Sequence, residues 1–258
     1  MINLRIAERV KTHAEEVDKY LMENGNKAIR LISFVTGSQA YGLDNPQSDV
    51  DTIHIVVPNT KGAALGYCPS IELHIKNEND IEEHAIIWTL NHMFEILDKG
   101  SDSLLPSLMT PYIYNNLTYS DYGIELISRV DWIAERVKEN TMKALAGCAL
   151  SRNHRRVLWS EEKRTAKECA MAHYWYGVIK NIQSGKYVRE AYQDPDNIAH
   201  AREIRYGGDP TPLTAEQVQE LEAIVNVKAR KVDKEYADYA EDFQVRLLRN
   251  IVVNEAIG

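Results

Sequence analysis

Two apolar runs separated by a short polar segment constrain the fold of this chain more than any other feature. AIRLISFVTG (28–37) is predicted to be a strand, and VDTIHIVVP (50–58) is predicted to be a second strand that ends at Pro58. The residues between them, 39–48, include Gly, Asn, Pro and Ser and are predicted to form a loop. The N-terminal part of the chain is therefore expected to contain a sheet.

The segments on either side of these strands predict helices and further strands. An amphipathic helix is expected over 3–24, where apolar residues recur at helical spacing. SIELHIK (70–76) alternates and is a candidate third strand or hairpin arm, and DIEEHAIIW (80–88) is another strand candidate. A helix is predicted over 90–99, with Thr89 as its N-cap and a glycine directly after its end.

From about residue 120 the pattern becomes helical. Long helices are predicted over 125–150, 160–188 and 214–245, with a break around 194–212. We therefore predict an α+β chain: a domain over 1–118 with a sheet and flanking helices, then a helical domain over 119–258.

The composition excludes several classes of protein. The net charge of −8 argues against a protein that coats nucleic acid non-specifically, because neutralising phosphates drives that binding. No apolar run approaches the ~20 residues that a membrane span needs, and the N-terminus has no signal-peptide core. The cysteines are scattered, odd in number and without metal-ligand spacing. We expect a cytoplasmic protein with no membrane association; its oligomeric state is left open.

The ends of the predicted loop carry the residues with the clearest chemistry. Asp49 and Asp51 are two apart at the start of a strand, so both side chains point to the same face. Two carboxylates this close repel each other unless a divalent cation lies between them. Gly37 permits close approach of a phosphate to the backbone, and Ser38 adds a hydroxyl donor. A Gly-Ser pair or an Asp-x-Asp alone is common, but together with the strands they predict a site for Mg²⁺ and a polyphosphate.

At this point the sequence resembles a known family. TGSQAYGLDNPQSDVD resembles the signature of the DNA polymerase β superfamily of nucleotidyltransferases. More narrowly, GSQAYGLDNPQSDVD is similar to the RNA-repair-associated group of predicted nucleotidyltransferases of bacteria and phages. The resemblance implies a mixed sheet flanked by helices, Mg²⁺ or Mn²⁺ ions held by Asp49 and Asp51, and an NTP triphosphate gripped by Gly37 and Ser38. The implied reaction moves an NMP to a hydroxyl and releases pyrophosphate.

The superfamily also uses a third carboxylate on a neighbouring strand. The candidates are Asp80, Glu82 and Glu83, with Glu72 as a remoter option. In a strand, Asp80, Glu82 and His84 would share one face and Glu83 would lie on the other. We favour Glu82 as the third catalytic and metal-binding residue, and an exposed strand edge is the alternative reading of these acids.

Two further residues are expected at the nucleotide. Tyr41 would stack on the base or close the loop over phosphate, although a packing role is equally consistent with the sequence. Lys167 would reach the substrate phosphates, by resemblance to the family's helix. The basic segment 151–164 would meet the triphosphate or a nucleic-acid backbone, or else form a solvated helix face.

The acceptor is open: an RNA end or tRNA, a protein side chain, or a small molecule. We expect the site in the cleft between the two predicted domains. Two alternatives are a non-catalytic nucleotide-binding regulator and a nucleotidyltransferase of the toxin–antitoxin type that modifies tRNA or protein.

Overall fold

A mixed five-stranded sheet lies in the N-terminal half of the protein. The computed structural model describes residues 3–46, 48–155, 162–207, 210–228, 231 and 233–257. Within these ranges the strands are Ala28–Val35 (β1), Thr52–Pro58 (β2), Ile71–Lys76 (β3), Glu82–Thr89 (β4) and Ile113–Asn115 (β5). Their order is β3-β4-β2-β1-β5; β2 and β4 are parallel and the other neighbours are antiparallel. β1 and β2 are covered on both faces, which explains their nearly continuous apolar sequences.

Helices make up most of the remaining described chain. They are Leu4–Glu23 (α1), Ser38–Tyr41 (α2), Thr60–Ala64 (α3), Leu90–Lys99 (α4), Leu104–Leu108 (α5), Ser120–Ser128 (α6), Val130–Arg155 (α7), Glu162–Gln183 (α8), Val188–Tyr192 (α9), Pro195–Tyr206 (α10), Ala215–Asn226 (α11) and Lys234–Ile257 (α12). α4 has the predicted Thr89 cap, whose hydroxyl accepts from the His92 N–H. The α+β prediction is confirmed: a mixed sheet with flanking helices precedes a helical C-terminal part.

The predicted break over 194–212 is wrong in its first half, where residues 195–206 form α10. Asp194 caps this helix by accepting a hydrogen bond from the Asn197 N–H, and Pro195 occupies its first turn. Both residue types are common at helix starts as well as in loops. An Asp side chain accepts a hydrogen bond from one of the free N–H groups of the first turn. Proline fits there because its missing N–H would have had no partner within the helix.

Other boundaries also differ from the prediction. The helix predicted over 125–150 is two helices, α6 and α7, with Arg129 between them, and the helix predicted over 214–245 is also two, α11 and α12. α2 lies inside the loop predicted over 39–48, and β5 is not predicted. At three residues, β5 is too short to show an alternating pattern.

The sheet is packed on both faces. On one face, Val17 and Leu21 of α1 pack with Val56 and Ile87. On the other, Phe34 and Ile53 belong to a larger cluster that includes Trp175 of α8 and Phe243 of α12. This cluster crosses the predicted boundary at residue 118, and the division into two domains stays a prediction. In the described part of the chain, none of the helices combines the length and apolar character needed to cross a membrane.

A chain of buried polar side chains lies between α1 and the sheet. His13 Nε2 is 3.0 Å from the Glu83 carboxylate, and its Nδ1 is 2.9 Å from the Thr52 hydroxyl. Thr52 continues to His54 Nε2 at 2.8 Å, and His54 Nδ1 meets the Ser33 hydroxyl at 2.7 Å. Burial lowers the pKa of His54 well below its usual value, so this imidazole is neutral. We call these five residues the buried polar chain.

Candidate functional site

The segment from Gly37 to Leu43 is a tight turn, here called the glycine turn. The Ala40 N–H donates to the Gly37 carbonyl (3.0 Å), and the Leu43 N–H donates to the Ser38 carbonyl (2.9 Å). Gly37 has φ +66° and ψ −147°, close to a region that only glycine adopts readily. The backbone conformation therefore explains the glycine at position 37.

α10 holds the glycine turn from the helical side. Arg202 donates to the Gly42 carbonyl at 3.0 Å. Arg205 and the Tyr206 hydroxyl both donate to the Leu43 carbonyl, at 2.7 and 2.8 Å. The sequence does not predict these contacts, because they come from a helix that lies where a break is predicted.

Asp51 lies directly before β2 and faces the glycine turn. Its Oδ1 accepts a hydrogen bond from the His84 N–H of β4 at 3.1 Å. Its Oδ2 would lie 3.4 Å from a Cβ built on Gly37. One carboxylate oxygen is thus fixed by the neighbouring strand, and the other lies beside the turn.

The charges around Asp51 resemble those of a site that takes a cation. Burial, followed by the nearby charge of Asp49, raises the pKa of Asp51. The His84 N–H, the charge of His84 and the charge of Lys167 act in the opposite direction. Asp49 is exposed and Asp51 is half-buried. Gly37 and Asp51 are therefore adjacent, and the charges of Asp49 and Lys167 act on the Asp51 carboxylate.

Replacing Gly37 with alanine is expected to destabilise the fold by about 1–3 kcal/mol, because alanine is strained at this φ and ψ. The new methyl group would also lie 3.4 Å from Asp51 Oδ2. Chemical denaturation measures the effect. The matched control is Gly147→Ala on α7, where an added Cβ has open space and is expected to stabilise the helix by up to about 1 kcal/mol. Equal effects of the two variants would contradict the role given to Gly37.

Two of the candidate third carboxylates lie away from Asp51. Asp80 precedes β4, in the turn after β3, with φ +58°, and its carboxylate pairs with Lys76 at 2.7 Å. The expectation that it shares a strand face with Glu82 is wrong, because β4 begins at Glu82. Glu83 is buried on the opposite face, in the buried polar chain.

Glu82 and Glu72 instead lie beside two histidines. Glu82 Oε1 is 3.0 Å from His74 Nδ1 and 3.9 Å from His84 Nε2. Glu72 forms a short contact with His84 Nδ1. The register of β2 and β4 aligns Thr52 with Ala85, so the β4 residue beside Asp51 is His84. The i, i+2 spacing of Glu72 and His74 in SIELHIK is the sequence signal that would have found this cluster.

The remaining predicted residues have different surroundings. Tyr41 is buried, and its ring centroid is 5.6 Å from that of Tyr174, so it packs in the core. Ser38 is partly exposed at the first position of α2, directly after Gly37. Lys167 is exposed on α8. A cavity of about 200 Å³ borders α2 and is lined partly by Tyr41 and Ile198; it is smaller than the ~300 Å³ of ordinary ligand pockets.

The basic segment 151–164 is only partly described. Its residues 156–161 lie outside the described ranges, so the predicted phosphate contact is not addressed there. Arg152, at the end of α7, pairs with Glu168 of α8 at 2.8 Å. The Arg152–Glu168 ion pair therefore links α7 to α8.

Comparisons with known proteins add little to this geometry. No protein-family model matches the chain, and no curated protein is significantly similar to it. Among solved structures, the chain is similar to a nucleotidyltransferase-like protein from Exiguobacterium sibiricum 255-15, with 12% identity over 95% of this chain and 78% of that one. The TM-score is 0.34. A likeness this low carries no argument for a shared fold or activity.

Proposed function

We propose that this protein is a metal-dependent nucleotidyltransferase that moves an NMP from an NTP to a hydroxyl acceptor and releases pyrophosphate. The observation that carries the proposal is the placement of the Asp51 carboxylate against Gly37, with Asp49 close enough to raise the Asp51 pKa. This geometry suits a cation between carboxylates and phosphate. The resemblance of residues 36–51 to the polymerase β signature supports the same reading.

The residues present fit a divalent cation such as Mg²⁺ or Mn²⁺. Asp49 and Asp51 offer hard oxygen ligands, and their mutual repulsion is what a cation relieves. The bound ion would neutralise charge on the transferred phosphoryl group and its leaving group.

The chain's own groups position the substrate around these carboxylates. The His84 N–H holds Asp51 Oδ1, so Oδ2 keeps its direction toward the glycine turn. Ser38 supplies a hydroxyl donor at that turn, and the positive charge of Lys167 acts to lower the pKa of Asp51. Groups fixed before the reaction stabilise developing charge without reorganisation.

Replacing Lys167 with glutamine is expected to raise the KM for NTP about 10- to 100-fold, because a charge-assisted contact of ~1.5–3 kcal/mol is lost. Steady-state kinetics across NTP concentrations measures it. The matched control is Lys180→Gln on the same helix, since Lys180 pairs with Glu220 at 3.1 Å. An unchanged KM in the Lys167 variant would remove this residue from the proposed nucleotide site.

The test of the proposed function is turnover of each NTP, labelled at the α-phosphate, with Mg²⁺ or Mn²⁺. Total RNA, tRNA, a protein extract and small hydroxyl compounds serve as separate acceptors. Label in one acceptor class that disappears in the double variant Asp49→Asn/Asp51→Asn would support the proposal and identify the acceptor. Absence of label transfer to every acceptor class would overturn it, whether or not the protein binds NTP.

One observation favours a second candidate, a regulatory protein that binds nucleotide without turnover. The β4 residue beside Asp51 is His84, and the favoured third carboxylate, Glu82, lies with His74. Metal-dependent NTP binding without transfer to any acceptor is the result expected for this candidate.

A further inference from the structure

A cluster of imidazole and carboxylate groups lies at the β3–β4 edge of the sheet. His74 and His84 are paired across the two antiparallel strands, so their side chains share one face. Their ring centroids are 4.9 Å apart. Glu72, two residues before His74 on β3, also contacts His84. The strand register therefore builds the cluster.

The spacing of these groups suits a single metal ion. One ligand atom from each of Glu72, His74 and His84 lies within 4.8 Å of the others. Ligands of a tetrahedral zinc ion, at ~2.0–2.1 Å from the metal, are about 3.4 Å apart. Small side-chain rotations close that difference, and these side chains have room because all three are at least partly exposed. Glu82 contacts both histidines but is not one of these three ligands. A water molecule would complete the four-coordinate shell.

We propose that Glu72, His74 and His84 form a binding site for a transition-metal ion of the zinc class. Imidazole suits Zn²⁺ and its neighbours, whereas Mg²⁺ prefers oxygen ligands. This site is therefore chemically distinct from the one at Asp49 and Asp51, and the proposal does not depend on nucleotidyl transfer.

The position of this site gives the metal a positioning role. His84 contributes its side chain to the cluster and its backbone N–H to Asp51 Oδ1. A metal ion joining His84 to Glu72 and His74 would fix β4 against the edge strand β3. It would also fix the N–H that orients Asp51.

The experiment is titration of untagged, EDTA-treated full-length protein with Co²⁺, followed by visible absorption, and with Zn²⁺, followed by calorimetry. The wild type is expected to bind one ion of each with a Co²⁺ d–d spectrum. His74→Gln and His84→Gln are each expected to weaken binding at least about 100-fold, since even residues that only support metal ligands account for ~10–100-fold. Circular dichroism checks that each variant is folded.

The controls separate this site from other metal-binding groups. His92 is a partly exposed histidine on α4 that lies 3.9 Å from Glu95, and His92→Gln is expected to leave binding unchanged. Asp49→Asn/Asp51→Asn is also expected to retain Co²⁺ binding, even though it should lose any nucleotidyl transfer. A wild type that binds neither ion at micromolar concentration would overturn the proposal and leave a cluster of histidine–glutamate ion pairs. Affinity that follows the aspartate variants rather than the histidine variants would also overturn it.

Discussion

Replacing Asp51 with asparagine is expected to reduce nucleotidyl transfer by at least about 10³-fold while leaving the protein folded. In the wild type the His84 N–H donates a hydrogen bond to Asp51 Oδ1 at 3.1 Å. Asparagine keeps a side-chain oxygen that can accept the same hydrogen bond. It removes the negative charge that would bind the cation, and it also removes repulsion from Asp49. Single-turnover kinetics measures the activity, and thermal unfolding with and without Mg²⁺ and NTP measures ligand binding.

The thermal experiment gives this variant a readout apart from activity. Ligands that bind only the folded state raise its stability, so Mg²⁺ with NTP should raise the Tm of the wild type and not that of the variant. Asp44→Asn, in the same polar segment, is the matched control and should retain both activity and the Tm shift. Full activity in the Asp51 variant would rule out the proposed metal-binding role of this residue.

Replacing Glu83 with glutamine is expected to lower the free energy of unfolding by about 3–5 kcal/mol. The Glu83 side chain is fully buried and accepts from Arg9 Nε at 2.7 Å, His13 at 3.0 Å and Asn77 at 3.0 Å. Glutamine would leave the largely buried guanidinium of Arg9 without its carboxylate partner. An unpaired charge in a buried environment lowers the stability of the fold. Urea denaturation at pH 7 measures the loss.

The adjacent residue provides the control for this variant. Glu82 lies on the opposite face of β4 with its side chain 53% exposed, so Glu82→Gln should change stability by no more than ~0.5 kcal/mol. Two glutamates one residue apart would then differ severalfold in effect. If Glu83→Gln lowers the free energy of unfolding by less than about 1 kcal/mol, the stabilising role given to the buried Arg9–Glu83 ion pair is contradicted.

Stability should also depend on pH through Glu83. Burial acts to raise its pKa, but the hydrogen bonds from His13, Asn77 and Arg9 outweigh burial and lower the pKa from 4.5 to about 2. The stabilisation is therefore complete above the unfolded-state pKa of 4.5 and is lost as the pH falls toward about 2. Over this window the stability of the wild type should fall more steeply than that of Glu83→Gln.

The sequence predicts those helices and strands that are determined by interactions among residues close together in the chain. The apolar runs of β1 and β2 and the Thr89 cap of α4 were readable because burial and capping act on neighbouring residues. α10 was missed because Asp194 and Pro195 serve equally as loop residues and as a helix start. Only the packing of the helix against α8 distinguishes the two readings.

The candidate site divides in the same way. The Gly37 turn and the Asp49–Asp51 pair lie within one short segment, so the sequence indicated them directly. The neighbours of Asp51 depend on strand register, which a single sequence does not specify where acids fill several consecutive positions. β4 begins at Glu82. In this register the Glu83 side chain faces α1, and the His84 N–H lies beside Asp51.

The most direct test of the central claim compares ATP labelled at the α-phosphate with ATP labelled at the γ-phosphate, or the corresponding pair for whichever NTP is used. Each is incubated with the wild-type protein, Mg²⁺ and the four acceptor classes. Nucleotidyl transfer predicts α-label in the acceptor and γ-label in released pyrophosphate. Transfer of γ-label to the acceptor, or consumption of neither nucleotide with any acceptor, would contradict the account.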